Sequence, residues 1–166
     1  MSEPDEQVLR AVDELAQKAP LGALDVVECH AIRFSPDAAS GFTSNLDAGI
    51  TPVDGGLVVR FTLTTKVVTG DGGPEVAEIK VGIGLAYTIA DLPDPTGLVV
   101  GNFVARIAFK DAYPYLRQNT HELATRIGLV GVMLTTLIPP PTFGTLVPRQ
   151  DASADDTRQD LGRDVV

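Results

Sequence analysis

Few residues of this chain combine the type and the spacing that catalysis or metal binding requires. Cys29 and His30 are adjacent, but neighbouring residues of a strand point to opposite faces, so they form no nucleophile–base pair unless a bulge intervenes. His121 and Glu122 begin like the zinc-binding HExxH motif, but Thr125 occupies the position of the second histidine. With a single cysteine and two histidines, we expect no catalytic residue, no metal site and no cofactor.

The charge and hydropathy of the chain disfavour two large classes of partner. The formal net charge is -9, which repels nucleic-acid phosphates and anionic membrane surfaces. The longest apolar run, 129–138, is too short for a membrane-spanning helix, which needs about 20 residues. The acidic start of the chain has no apolar signal segment, and a lone cysteine suits a reducing compartment. We therefore predict a cytoplasmic protein that inserts into no membrane and binds no nucleic acid.

Two segments in the middle of the chain alternate between apolar and polar residues. The first covers 57–69, the second covers 76–90, and the glycine-rich stretch 70–74 lies between them. This pattern predicts a long antiparallel hairpin with one buried face and one wet face. Residues 70–73 lack the Lys-Ser/Thr ending of a phosphate-binding loop, so we interpret them as a turn.

The remaining strands and loops are less regular. Residues 24–35 are predicted to form a strand with Leu24 and Val26 on one face and Cys29, expected to be a small buried side chain, on the other. Residues 36–56, rich in Ser, Gly, Asp and Ala, are predicted to be a long connection. That connection carries large apolar side chains, which a bare linker rarely does.

Helices are predicted at the start of the chain and in its second half. Residues 3–19 place apolar side chains along one helical stripe. A short helix is favoured over 97–110, and Tyr113-Pro114-Tyr115 is expected to open a longer one, with the proline in its first turn. Residues 130–138 are interpreted as a last strand, and the polar segment 148–166 as a disordered tail.

Together these elements predict an α+β fold: a four-stranded antiparallel sheet with a long crossover loop, packed helices, an added N-terminal helix and a disordered C-terminal tail. The expected units are an amphipathic helix over 1–22, a central domain over 23–147 and a tail over 148–166. Three long strands present more apolar face than the few helices are expected to cover, which favours oligomerisation and the binding of a partner. In the alternative, the helices cover the whole face.

One segment resembles a known family. Residues 112–118 read Ala-Tyr-Pro-Tyr-Leu-Arg-Gln, similar to the aromatic-Pro-Tyr-x-Arg-Glu motif that opens the long helix of the SecB protein-export chaperones. The resemblance continues over 123–134, where SecB and its toxin–antitoxin relatives have Leu-x-x-Arg-Gly, and over 31–36, which is similar to the first strand of the family. It covers about residues 24 to 140.

The resemblance implies a tetramer, assembled as a dimer of dimers, that holds nonnative polypeptide in apolar grooves. The implied client-binding residues are Ile79, Val81 and Ile83 on the second hairpin strand, Leu46 in the crossover loop and Tyr115 in the motif. To these we add Phe42, because it is a large apolar side chain in the same predicted loop.

The sequence also departs from the export-type family. Those members carry acidic residues on the outer sheet face to dock the translocation motor, whereas the matching position here is Lys80, a reversed charge that is expected to weaken this docking. Three functions follow: a chaperone that keeps unfolded polypeptide soluble or export-competent, a dedicated toxin–antitoxin chaperone that binds one antitoxin, and, less favoured, a small-molecule-binding protein. The third would require a closed pocket with convergent polar groups.

Overall fold

The computed structural model describes residues 3–70, 72–95 and 97–134 of the chain. Within these residues, three α-helices and four strands follow one another in the order α1 (Glu3–Lys18), β1 (Leu21–Arg33), β2 (Gly41–Val53), β3 (Gly56–Val68), β4 (Glu75–Thr88), α2 (Leu98–Phe103) and α3 (Phe109–Arg126). The predicted α+β class, its four-stranded antiparallel sheet and its N-terminal helix are confirmed.

The strands form one antiparallel sheet in the order β1-β4-β3-β2. β1 and β2 therefore lie at opposite edges, and residues 34–40 cross the end of the β3–β4 hairpin to join them. Backbone hydrogen bonds hold this crossing: Phe34 N–H donates to Val76 and Ser40 N–H donates to Val68. The expectation of a long connection over 36–56 is wrong, since most of that segment is strand β2.

A two-residue turn explains why β2 is a strand. Val53 pairs with Gly56, so Asp54 and Gly55 alone connect β2 to β3, and Gly55 has a φ of 69°. Asp-Gly is a favoured sequence for such a hairpin turn because glycine adopts the left-handed region without a steric penalty. The turn fixes the register that places Ile50 opposite Val59 in the core.

The second half of the chain folds into an almost continuous helical segment. A single π-helical turn, Val104–Ala108, links α2 directly to α3. The prediction that Tyr113-Pro114-Tyr115 opens the long helix is wrong, because α3 begins at Phe109 and Pro114 lies inside it. Pro114 is exposed, so the backbone hydrogen bond that it removes lies on the solvent side of the helix.

The core lies between α3 and the inner face of β3 and β4. Alternate residues of both strands are fully buried, among them Phe61, Ile79, Val81 and Ile83. Phe61 meets Phe109 of α3 edge-on, with ring centroids 5.7 Å apart. The long helix therefore covers the two central strands of the sheet.

The chain after α3 is not a strand where it is described. Residues 130–134 have no regular secondary structure, so the prediction of a last strand over 130–138 is wrong for that part, and 135–138 lie outside the described residues. The fourth strand of the sheet is β2 instead. The predicted tail over 148–166 also lies outside the described residues, and the domain boundaries stay a prediction.

Candidate functional site

The outer face of the sheet carries paired charges rather than a reactive group. The Glu28 carboxylate lies 2.8 Å from the Arg60 guanidinium and 2.9 Å from the Lys80 ammonium. The hydrogen bond from Lys80 holds the pKa of the Glu28 carboxyl below its usual value, and Arg60 adds to this effect against the opposing cost of burial. All three side chains are partly exposed, so the ion pairs contribute little stability.

Two glycines of β4 lie against the neighbouring edge strand. Gly82 and Gly84 lie under Val27 of β1, whose methyl groups are 3.2 and 3.1 Å from where a Cβ of each glycine would stand. The space is filled by the neighbouring strand of the same chain. A client strand or a packed helix therefore finds no free space over these two glycines.

A β-bulge in β1 brings together side chains that strict alternation separates. The register shifts between Val26 and Glu28, so Val26 lies opposite Ile83 and Cys29 lies opposite Val81, both partners being in the core. Val26 and Cys29 thus share the inner face, contrary to the predicted alternation. His30 lies opposite Lys80 on the outer face, so Cys29 and His30 point apart, as predicted.

The helices leave the inner face of β1 open around Val26 and Cys29, whereas Leu24 and Ala31 on the same face pack against the core. Val26 is 47% exposed and Cys29 is exposed, so the prediction of a buried cysteine is wrong. One flank of α3 borders this strip: the Asn119 side-chain oxygen lies 3.8 Å from the Cys29 sulfur, and Tyr115, one turn earlier, is 44% exposed. We call the surface formed by Val26, Cys29, Tyr115 and Asn119 the β1–α3 groove.

The six residues predicted to bind a client fall into three separate sets. Ile79, Val81 and Ile83 have no exposed surface, because α3 covers them. Phe42 and Leu46 lie on β2 rather than in a loop, at the opposite edge of the sheet, where Phe42 is 37% exposed and Leu46 packs partly against the core. Tyr115 alone borders the β1–α3 groove.

Sequence reasoning missed Val26 and Asn119 as surface residues. The signal for Asn119 was weak, since a polar residue four positions after Tyr115 on a helix is usual on a solvated flank. The exposure of Val26 depends on a bulge and on the position of α3, and neither has a local sequence signature.

Two further features were sought among the described residues, a metal-binding cluster and a membrane-spanning helix. Within 3–70, 72–95 and 97–134, no cluster of three or more His, Cys, Asp or Glu side chains is placed to hold a metal ion. In the same part of the chain, no helix has the length and hydropathy to cross a bilayer. The candidate functional surface is therefore the exposed apolar surface of the β1–α3 groove.

The fold of this chain is similar to that of a solved chaperone structure. A four-stranded antiparallel sheet under a long helix is the SecB-like fold, which confirms the resemblance seen in the sequence at the level of fold. A similar solved structure is the Mycobacterium tuberculosis Rv1957 SecB-like chaperone in complex with a ChAD peptide from the Rv1956 HigA1 antitoxin. The TM-score is 0.64 at 21% identity, covering 80% of this chain and 99% of that chain.

Two comparisons made with the amino-acid sequence found no similar family or protein. No protein-family model matches the chain. No curated protein matches it either.

Proposed function

We propose that this chain is a SecB-like chaperone that holds unfolded or aggregation-prone polypeptide and keeps it soluble. The observation that carries the proposal is the β1–α3 groove, where Val26 and Cys29 of an edge strand and Tyr115 of α3 remain exposed. Adjacent apolar side chains exposed on a soluble protein usually mark an interaction site. The likeness to a chaperone structure supports the same function.

The chemistry of the groove suits an extended chain. β1 is an edge strand, so one row of its backbone N–H and C=O groups has no partner strand within the sheet. An unfolded segment can pair with these groups and place alternate apolar side chains against Val26 and Tyr115. The net charge of -9 keeps such an adhesive surface soluble.

A dedicated antitoxin chaperone is the second candidate. It is favoured by the antitoxin peptide that the solved Rv1957 structure contains. It is also favoured by the outer sheet face, where Lys80 and Arg60 neutralise Glu28. An acidic docking surface for a translocation motor is therefore weakened, and an export role loses support.

The partners and the location follow from the same proposal. The open edge of β1 is available to a second copy of the chain as well as to a client, and we infer a dimer-of-dimers assembly in the cytoplasm. Phe42 and Leu46 on β2 are proposed to extend the client surface at the other edge of the sheet. Ile79, Val81 and Ile83 would take part only if α3 moved, because they are fully buried.

A matched pair of substitutions tests the groove. Val26→Asp places a charge in the apolar strip, and Val53→Asp places the same charge at a valine that is equally exposed but lies at the β2–β3 turn. We expect Val26→Asp to weaken the binding of an unfolded protein roughly ten-fold, because a client would have to desolvate the carboxylate. Fluorescence anisotropy with labelled, reduced and carboxymethylated ribonuclease A measures the affinity.

The Val53→Asp control shows whether the loss of affinity in Val26→Asp is specific to the β1–α3 groove. Both valines are about half exposed, so both variants should keep the far-UV circular dichroism of the parent chain. Equal affinities of the two variants for the unfolded protein would rule out the β1–α3 groove as the client site.

A further inference from the structure

The chain reverses its direction after α3 and returns to the helix within the described residues. Gly128 and Gly131 have φ values of 74° and 92°, in the left-handed region that glycine adopts without a steric penalty. We call residues 129–134 the returning segment. Three of its apolar side chains are buried and attach it to the protein, namely those of Leu129, Val132 and Leu134.

Arg117 of α3 contacts two neighbouring residues of the returning segment. Its Nε donates to the backbone carbonyl oxygen of Leu134 at 2.9 Å, and its Nη2 lies 3.3 Å from the sulfur atom of Met133. One helical turn later, His121 Nδ1 lies 3.4 Å from the carbonyl oxygen of Val132. The guanidinium of Arg117 therefore helps to hold the returning segment on the helix.

The contact between Arg117 and Met133 joins a strong donor to a weak acceptor. A guanidinium is a permanently charged donor, whereas the sulfur atom of a thioether is neutral and accepts hydrogen bonds poorly. Met133 is 47% exposed, so a small molecule in solution can approach the side chain that the guanidinium contacts. An oxygen atom added to this sulfur would give Arg117 a stronger acceptor in the same place.

We propose that Met133 is a site of reversible oxidation, and that the sulfoxide fastens the returning segment to α3 through Arg117. The oxidant is a peroxide. The sulfur atom takes one oxygen atom from hydrogen peroxide, so that an S–O bond forms, the O–O bond breaks and the other oxygen leaves as water. The sulfur is oxidised, the peroxide is reduced, and no other reactant is needed. This attachment does not depend on the polypeptide-holding function proposed above.

The effect of this oxidation on stability has the opposite sign to the usual one. A methionine sulfoxide normally disrupts apolar packing, because the side chain becomes polar. Here Val132 and Leu134 supply the burial while Met133 is half exposed, so little packing is lost. The sulfoxide oxygen carries partial negative charge, and a hydrogen bond from a charged donor is stronger than one between neutral groups. Oxidation therefore stabilises the returning segment on the helix.

The experiment compares reduced and oxidised forms of the full-length protein. Every protein carries Cys29→Ser, since the remaining sulfur atoms are then those of Met1 and Met133. After treatment with hydrogen peroxide, peptide mass spectrometry measures the oxidation of each methionine, and thermal unfolding measures stability. Oxidation of Met133 should raise the unfolding midpoint by about 3 °C, the size expected for one hydrogen bond to a charged group. An unchanged or lower midpoint, or a Met133 that peroxide leaves intact, would overturn the proposal.

A matched pair of arginine substitutions ties this shift to Arg117. Arg117→Leu removes the donor beside Met133, and Arg126→Leu removes the same charge from an exposed site on the same helix. In Arg126→Leu, oxidation should still raise the midpoint. In Arg117→Leu, it should leave the midpoint unchanged or lower it. Equal shifts in the two variants would show that the sulfoxide acts without Arg117 and would overturn its role.

Two substitutions of Met133 itself decide the matter if Arg117→Leu does not fold. Met133→Gln provides a permanent side-chain oxygen, and Met133→Leu provides an apolar side chain of similar size. The glutamine variant should unfold about 3 °C above the leucine variant. A midpoint of Met133→Gln at or below that of Met133→Leu would contradict the proposal.

Reversal by an enzyme completes the test. Methionine sulfoxide reductases return the sulfoxide to the thioether. Their addition to the oxidised parent should restore the original midpoint as mass spectrometry shows Met133 reduced. A raised midpoint that persists after Met133 is fully reduced would overturn the assignment of the shift to this residue.

Discussion

At the scale of single residues, Arg33 connects parts of the chain that are far apart in sequence. Its guanidinium donates hydrogen bonds to backbone carbonyls of the crossover connection and of the end of α3, namely those of Ser35, Pro36, Asp37, Ile127 and Gly128. A cation at the C-terminal end of a helix also interacts favourably with the helix dipole. The sequence alone gives no sign of this role, since the partners of Arg33 depend on the fold.

Removing this guanidinium should loosen the crossover connection. Arg33→Met is expected to lower the free energy of unfolding by about 1 kcal/mol, because exposed hydrogen bonds from a charged donor to neutral carbonyls are lost. Urea denaturation followed by circular dichroism measures the change. Arg126→Met is the control, since its ion pair with Glu122 is 3.8 Å long and exposed, and its effect should stay within about 0.5 kcal/mol.

The buried hydroxyl group of Tyr87 makes the stability of the protein depend on pH in the alkaline range. Tyr87 donates to the Asp111 carboxylate at 2.7 Å. Burial raises the pKa of Tyr87 above its ordinary value of 10.0, and the nearby Asp111 raises it further. The folded state therefore favours the protonated phenol, and this stabilisation is complete below pH 10 and falls as the pH rises above the unfolded pKa of about 10.

Tyr87→Phe should change both the size and the pH dependence of stability. At neutral pH the variant is expected to lose about 1–2 kcal/mol, because the Asp111 carboxylate loses a partner. Above pH 10 the wild type should lose stability more steeply than the variant, which has no phenol at this position to ionise. Parallel denaturation midpoints of the two proteins between pH 8 and about 11 would contradict this account.

At the scale of elements, the sequence predicted those parts whose pattern is local. The β3–β4 hairpin and helix α1 were found because their periodicity is regular over more than ten residues. β2 was taken for a loop because it is rich in small polar residues, although Phe42, Leu46 and Ile50 recur at even spacing and Asp54-Gly55 marks a hairpin turn. Strand β2 could have been predicted from that turn signal together with the even spacing of these apolar residues.

The β2–β3 turn should be sensitive to a single methyl group. Gly55→Ala is expected to destabilise the protein by about 1–2 kcal/mol, since a side chain is strained in the left-handed region. Gly49→Ala in the middle of β2 meets no atom within 4 Å and should be neutral or slightly stabilising. Thermal unfolding of both variants tests the turn, and equal midpoints would argue against it.

At the scale of the whole molecule, the candidate site depends on what the helices leave uncovered. The apolar faces of the strands could be predicted from alternation, but the position of α3 over β3 and β4 could not. That position buries Ile79, Val81 and Ile83 and leaves Val26 and Cys29 of β1 exposed instead. The expected surplus of apolar surface therefore lies at the edge of the sheet rather than at its centre.

The central claim, that the chain holds unfolded polypeptide, is tested most directly by size-exclusion chromatography with light scattering. The full-length protein is run alone, with reduced and carboxymethylated ribonuclease A, and with folded ribonuclease A. Our account predicts a complex with the unfolded form and none with the folded form, because only the unfolded chain presents extended apolar segments to the β1–α3 groove. Separate elution of the protein and the unfolded ribonuclease would contradict the chaperone function.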